Sequence, residues 1–197
     1  MNLVFPGAPI LTSRLALRSF AADDFAAYAE YHRRPEVYRF LYMAAPQGEA
    51  LRAQFADVLS APFASDGDTC RLAVVQQDDE AVLGEVLLKV ASVQALQLEV
   101  GYIFHPRHAG QGYATEAVEA MLGWGFDGLG AHRIFARLDA LNTASVKVVE
   151  RLGLRREAHL RQNDRFNGVW GDEYVYAWLR AEWAARAAVG SERMLRG

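Results

Sequence analysis

The most informative pattern along the chain is an alternation that turns into a helical stripe. Leu96, Leu98, Val100, Tyr102 and Phe104 share one side of a run whose other side carries Gln97, Glu99, Gly101, Ile103 and His105. A period of two marks a half-buried strand, and Pro106, with no N–H to offer a neighbour, ends it. Farther on the period changes. Ala114, Ala117, Val118, Met121, Leu122, Gly125 and Leu129 recur at three- and four-residue spacing, which predicts a helix laying one stripe on a sheet.

The same reading predicts a first strand over Arg14 to Phe20 and a helix from Ala21 to about Arg33, with Asp23 and Asp24 in its first turn, where carboxylates suit the dipole. Pro35 to Tyr42 and Gln47 to about Pro62 read as further helices. Strands follow at Thr69 to Gln76 and Ala81 to Val90, joined by the polar Gln77-Asp78-Asp79-Glu80. Arg133 to Leu141 alternates as a fifth strand, and a helix from about Thr143 to Leu152 stops at Gly153. Arg155 to Gln162 and Trp170 to Leu179 are the last strands, with a turn at Asn167-Gly168. Arg180 to Val189 should be a short terminal helix, supported by Glu182 and Arg186. The sum is an α/β fold with a central mixed sheet.

A chain of 197 residues with 52% hydrophobic positions suits a single domain over 1–197, its core pattern running from about residue 12 to about 183. The formal charge of −3 argues against general nucleic-acid binding. No apolar run approaches the ~20 residues that cross a bilayer. The opening Met-Asn-Leu-Val-Phe-Pro lacks a charged lead and a cleavage site, so the expected address is cytoplasmic with no membrane partner. Cys70 is the only cysteine and sits in a strand-like run, which excludes an internal disulfide and favours a packed core thiol. The five histidines show no metal-ligand spacing, so no metal is expected.

The candidate chemistry lies between strand and helix. Gly110 and Gly112 can turn backbone N–H groups toward one point, and the helix behind them adds its positive end, making a nest for a pyrophosphate. A tight turn would use the same two glycines. The dinucleotide fingerprint fails because Thr115 stands at its third small position, and no Gly-Lys-Ser or Gly-Lys-Thr occurs.

The spacing Arg107-x-x-Gly110-x-Gly112, followed by Tyr113-Ala114-Thr115-Glu116-Ala117, resembles the GCN5-related N-acetyltransferase (GNAT) family. The likeness extends to Thr12-Ser13-Arg14-Leu15-Ala16-Leu17-Arg18, to Asn142-Thr143-Ala144-Ser145 with Leu152-Gly153-Leu154, and to Trp170-Gly171-Asp172-Glu173-Tyr174, the last resembling the branch that acetylates ribosomal-protein N-termini. It implies a mixed, largely antiparallel sheet of seven strands flanked by helices, with the fourth and fifth strands splayed. It also implies acetyl-coenzyme A as cosubstrate. Its pyrophosphate would lie on Arg107, His108, Ala109, Gly110, Gln111, Gly112, Tyr113 and Ala114, and its pantetheine arm beside the strand, against the backbone of Gly101 and Ile103. Asn142 would stand beside the cofactor and Lys147 could reach the adenosine 3′-phosphate, although a helix cap and an exposed lysine explain the same residues.

Acetyl transfer to an amine needs a proton acceptor and help for the departing thiolate. Glu99 is the candidate base, with Glu173 and Asp172 as alternatives, and a solvated strand glutamate is the plain reading of Glu99. Glu116, in the first turn, gets no chemical role, since it should turn away from a pyrophosphate. Many relatives carry a tyrosine where this chain has Val149; the branch it resembles uses a serine matching Ser145, which could also be a helix cap. Tyr28, Tyr31, Tyr38, Phe40, Tyr42 and Phe55 lie in the region that by resemblance lines the acceptor side, or else form ordinary core. The acceptor is expected to be a protein or peptide N-terminus, with a small amine such as a polyamine or antibiotic-like compound as the alternative. A coenzyme A-binding sensor without turnover is a third reading. The resemblance leaves room for a homodimer.

Overall fold

The computed structural model describes residues 1–186. Eight strands form one sheet in the order β1-β2-β3-β4-β5-β6-β8-β7. They are β1 Ile10–Leu11, β2 Leu15–Ser19, β3 Thr69–Gln76, β4 Val82–Ser92, β5 Gln97–Phe104, β6 Arg133–Asp139, β7 Arg155–Phe166 and β8 Val169–Leu179. The helices are α1 Phe25–His32, α2 Pro35–Tyr38, α3 Gly48–Ser60, α4 Tyr113–Gly123 and α5 Thr143–Arg151, with about two further helical turns over 180–186. The expected terminal helix is thus described as far as residue 186, and its remainder to Val189 lies outside the described residues.

The α/β class and mixed sheet agree with the sequence reading, with eight strands in place of seven. The addition is β1, two residues paired as Ile10↔Leu17 and Leu11↔Ala16, too short to leave a period-two signature. The expected helix Pro35 to Tyr42 stops at Tyr38, and Tyr42 takes a left-handed φ of 53° that no helix continues. The last hairpin is longer than expected. β7 reaches Phe166 and β8 starts at Val169, because Asn167 and Gly168 both adopt positive φ and close a two-residue turn.

Every strand pair is antiparallel except β5 with β6, which is parallel and only three pairs long: Gln97↔Arg133, Leu98↔Ile134 and Glu99↔Phe135. β5 nevertheless stays paired with β4 to Phe104, and β6 with β8 to Asp139. Each strand therefore keeps its outer neighbour while the inner pair parts beyond Glu99, splitting the sheet into a V.

The two faces of the sheet carry different cores. Even-numbered β5 residues Leu98 and Val100 join Leu88, Ile134 and the stripe Ala117, Val118, Met121 and Leu122 of α4. Cys70 is buried in this cluster, where burial pushes its thiol up to about 12. On the opposite face, Tyr28, Ala29, Tyr31, Leu51 and Phe55 of α1 and α3 pack on Ala73 and Val75. Most of the aromatic region read as acceptor lining is this core: Tyr28, Tyr31, Tyr38 and Phe55 are all buried.

That second face also holds a fully buried carboxylate. Glu85 accepts from Tyr31 Oη at 3.1 Å, lies 3.2 Å from His32 Nε2 and is bonded by Arg71. Its pKa is lowered: burial opposes the charge, but Arg71 and His32 outweigh it. His32 Nδ1 in turn meets Tyr38 Oη at 2.5 Å, so the network ties α1 and α2 to the middle of the sheet. Glu85→Ala leaves the buried His32 and the half-buried Arg71 without their anion, and the expected loss is about 3 kcal/mol of unfolding free energy. Urea denaturation checks this, and a midpoint within experimental scatter of wild type would contradict it.

Candidate active site

The parting of β5 and β6 exposes main-chain groups that a continuous sheet would pair. His105 N–H bonds the Leu83 carbonyl at 3.0 Å, so the odd-numbered residues of β5 are the hydrogen-bonded partners of β4. At the other edge the Leu96 carbonyl accepts from His132 N–H at 2.8 Å, which directs even-numbered residues toward β6. Gly101 and Ile103 line the gap, yet their main-chain groups are committed to β4. The groups facing the opening belong to Tyr102 and Phe104, one residue away from the sequence expectation, which had period but no hydrogen-bond phase.

Beyond Phe104 the chain makes a 3-10 turn at Pro106–His108 and reaches the glycine loop. Gly110 and Gly112 sit at φ 78° and 83°, a region that a side chain strongly disfavours. α4 starts immediately at Tyr113. From Gly110 through Thr115, no backbone N–H finds an acceptor among the described residues. Six donors and the positive end of an eleven-residue helix are therefore left unpaired at this loop.

The loop is braced from outside by the start of β2. Arg14 Nη1 donates to the Gln111 carbonyl at 3.1 Å, its Nε to Glu116 Oε2 at 2.7 Å, and its guanidinium stacks 4.5 Å from the Tyr113 ring centre. Glu116 also accepts from Thr12 Oγ1 at 2.6 Å, Ser13 Oγ at 3.0 Å and Arg14 N–H at 2.9 Å. Its carboxylate is thus turned away from the loop, as the repulsion argument expected. Burial would raise its pKa, but these hydrogen bonds hold it below the ordinary range.

A cleft of about 490 Å³ runs from this loop along the gap. His108, Ala109, Gly110, Gly112, Tyr113 and Ala114 line one end, and Asn142, Ser145, Lys147 and Arg151 line the α5 side. Arg107 does not join them. Its Nε donates to His108 Nε2 at 2.8 Å and its Nη1 lies 3.3 Å from Glu30 Oε2, because the 3-10 turn throws its side chain toward α1. Gln111 does not line the cleft either: its carbonyl is turned outward to Arg14, which leaves only its N–H on the side of the nest. The cations that do face the cleft are Lys147 and Arg151, four residues apart on one side of α5 and without ion-pair partners among the described residues. Helical spacing could have found Arg151. Nothing in sequence brings Arg14 to Glu116 across 102 positions.

A second cleft, about 250 Å³, opens on the other side of the split and is lined by Lys89, Glu99, Arg137 and Asp139. Phe40, Leu41, Tyr102, Asn142 and Ser145 line both clefts and so mark their junction. Asn142 caps α5 by accepting from Ser145 N–H at 3.2 Å. Tyr102 Oη donates to the Ser145 carbonyl at 2.9 Å, and burial raises its pKa, so it stays a phenol. Ser145 Oγ has no hydrogen bond to the described residues.

Glu99 accepts from Arg137 Nε at 3.0 Å, and Glu173 Oε1 lies 3.8 Å from the same nitrogen. Glu173 is 6% exposed and its Oε1 makes no hydrogen bond; burial raises its pKa, and Arg137 only partly offsets this. Asp172 points elsewhere, to His159 Nε2 at 2.7 Å and Gln162 N–H at 2.9 Å, which removes it as a base for this site. Among the described residues no helix is long and apolar enough to cross a membrane, and no group of side chains could hold a metal.

Residues 14–155 match the family model for the acetyltransferase (GNAT) domain. An uncharacterized N-acetyltransferase of Bacillus subtilis, YnaD, is 30% identical over 175 residues, covering 88% of this chain and 98% of that protein. The crystal structure of a GNAT-family acetyltransferase from Bacillus anthracis superposes with a TM-score of 0.80 at 28% identity, over 88% of this chain and 99% of that one. Spermidine N-acetyltransferase from Vibrio cholerae, solved with CoA and spermine, shares the fold with a TM-score of 0.76 at 20% identity, over 88% and 99% of the two chains.

The Glu116 brace carries a pH signature. A carboxylate whose pKa is depressed on folding adds stability above its unfolded pKa, and that stability is lost as pH falls through the folded value. As pH falls below the ordinary glutamate range, wild type should therefore lose stability more steeply than Glu116→Gln. Thermal melts across that range test it; parallel curves would refute the assignment.

Proposed function

We propose, since this chain belongs to the GNAT acetyltransferase family, that it moves acetyl from acetyl-CoA directly to the amine of a peptide N-terminus. The observation that carries this reading is the position of Ser145 where the two clefts meet. One cleft suits the cofactor: six free N–H groups for the pyrophosphate, the open main chain of Tyr102 and Phe104 for the pantetheine amides, and Lys147 and Arg151 for the remaining phosphate. The other takes the acceptor. Its lining balances Lys89 and Arg137 against Glu99 and Asp139, which fits an amine followed by peptide groups better than a polycation.

Transfer forms an N–C bond and breaks a C–S bond. The amine gives up a proton and the thiolate gains one. Glu99, held by Arg137, is the carboxylate on the acceptor cleft that can receive the amine's proton, directly or through water. Ser145, its hydroxyl uncommitted, donates a hydrogen bond to the sulfur as negative charge develops there. Much of the acceleration then comes from holding amine and thioester together at the junction.

Thiol release from acetyl-CoA in the presence of free-N-terminus tetrapeptides tests the reaction, with spermidine in a parallel arm. Ser145→Ala should lower kcat roughly ten- to a hundredfold with little change in the KM for acetyl-CoA; an unchanged kcat would remove Ser145 from the chemistry. Gly112→Asp sets a side chain and a negative charge in the nest, and calorimetry should show coenzyme A affinity falling at least about tenfold. Undiminished affinity would displace the pyrophosphate from this loop.

A further inference from the structure

The acceptor cleft has a built rim. Tyr42, in the segment after α2, reaches across the split and donates its hydroxyl to Asp139 Oδ2 at 2.5 Å, at the end of β6. Asp139 is 9% exposed, and its other oxygen accepts from Leu141 N–H at 2.7 Å. Across the hairpin, only a glycine fits beside this bond: a Cβ on Gly171 would stand 1.9 Å from Tyr42 Oη. Three separate chain segments are thereby pinned at one point.

Four large apolar side chains surround that point and face solvent. Leu41 and Met43 flank Tyr42 and are 39% and 50% exposed; Leu141, two residues past Asp139, is 73% exposed. Val169, 70% exposed, lies two residues before Gly171 and so on the same face of β8. Trp170 is on the reverse face, under Arg165. Exposed apolar side chains gathered at one site mark a binding surface. Here the surface continues from a cleft, since Leu41 lines both the cofactor side and the acceptor side.

Of the four, Leu41 lines the 250 Å³ cleft, and Asp139 at the pinned point lines it too, so the cleft borders this surface. From the peptide-acceptor reading, on which this rests, we infer that the rim of Leu41, Met43, Leu141 and Val169 seats apolar side chains at the second and third residues of the acceptor peptide. The terminal residue fills the cleft and the next ones cover the rim, so the protein selects N-termini followed by apolar residues.

The test compares kcat/KM for two peptides, Ser-Leu-Phe-Gly and Ser-Asp-Lys-Gly, on wild type, on Leu141→Ser/Val169→Ser and on Trp170→Ala. Both positions of the double variant are exposed, so folding is little affected. Wild type should prefer the apolar peptide at least about tenfold. The double variant should lose that preference by slowing on the apolar peptide alone, and Trp170→Ala should keep it. Equal rates on the two peptides in wild type, or a preference that survives the double change, overturns the proposal while leaving peptide acetylation standing. Turnover of spermidine with no peptide turnover defeats the peptide reading itself and the rim with it. Light scattering covers the remaining occupant: a dimer dissociated by the double variant would assign the surface to a second copy of the chain and overturn the proposal.

Discussion

The three-pair contact between β5 and β6 is the constraint on which the rest of the molecule depends. A longer ladder would close the sheet and leave neither a cleft nor free main chain at Tyr102 and Phe104. A shorter one would cut the sheet in two. The contact survives because each strand is held on its outer side, β5 by β4 and β6 by β8, so separation beyond Glu99 costs only the inner ladder. The N-terminus of α5 fills one side of the opening and is secured there by the Tyr102 hydroxyl on the Ser145 carbonyl.

Around this split the glycine-loop end is arranged for an anion, with its N–H groups unpaired among the described residues. Arg14 and Glu116 take no part in the nest; they fix it, by holding the Gln111 carbonyl outward and the first turn of α4 in place. The smaller cleft is built differently, from paired charges. Glu99, Arg137 and Glu173 share one guanidinium, and the buried, unpartnered oxygen of Glu173 raises that group's pKa beside a carboxylate already in contact with the cleft.

Much of this was legible in the residues. The alternation of Leu96 to Phe104, the glycine pair and the stripe of α4 located the strand, loop and helix that line the larger cleft, because each is set by local periodicity and local backbone freedom. What stayed hidden was set by tertiary geometry. The phase of hydrogen bonding along β5 moved the open main chain from Gly101 and Ile103 to Tyr102 and Phe104, and side-chain spacing carries no information on that phase. Arg107 stood in the right loop but its side chain left it, for Glu30 on a helix some 77 positions away. The aromatic residues around α1 and α2 divided between core and cleft: those on the helices, Tyr28, Tyr31, Tyr38 and Phe55, are buried, while Phe40 and Tyr42 lie in the segment after α2. Only Phe40 reached both clefts, and Tyr42 became the pin of the rim.

Asp139 uses one carboxylate oxygen for Tyr42 and the other for the backbone of the turn that leads into α5. The loop at the rim and the turn that leads into α5 are therefore joined through a single side chain. A ligand that draws the Tyr42 hydroxyl away alters the charge on the oxygen that fixes that turn, and with it the placement of Asn142 and Ser145. Coupling of this kind is reciprocal: by whatever factor a bound cofactor tightens the acceptor's hold, the acceptor tightens the cofactor's. One carboxylate shared between a loop and a helix is thus a joint through which occupancy of either cleft can be felt at the other.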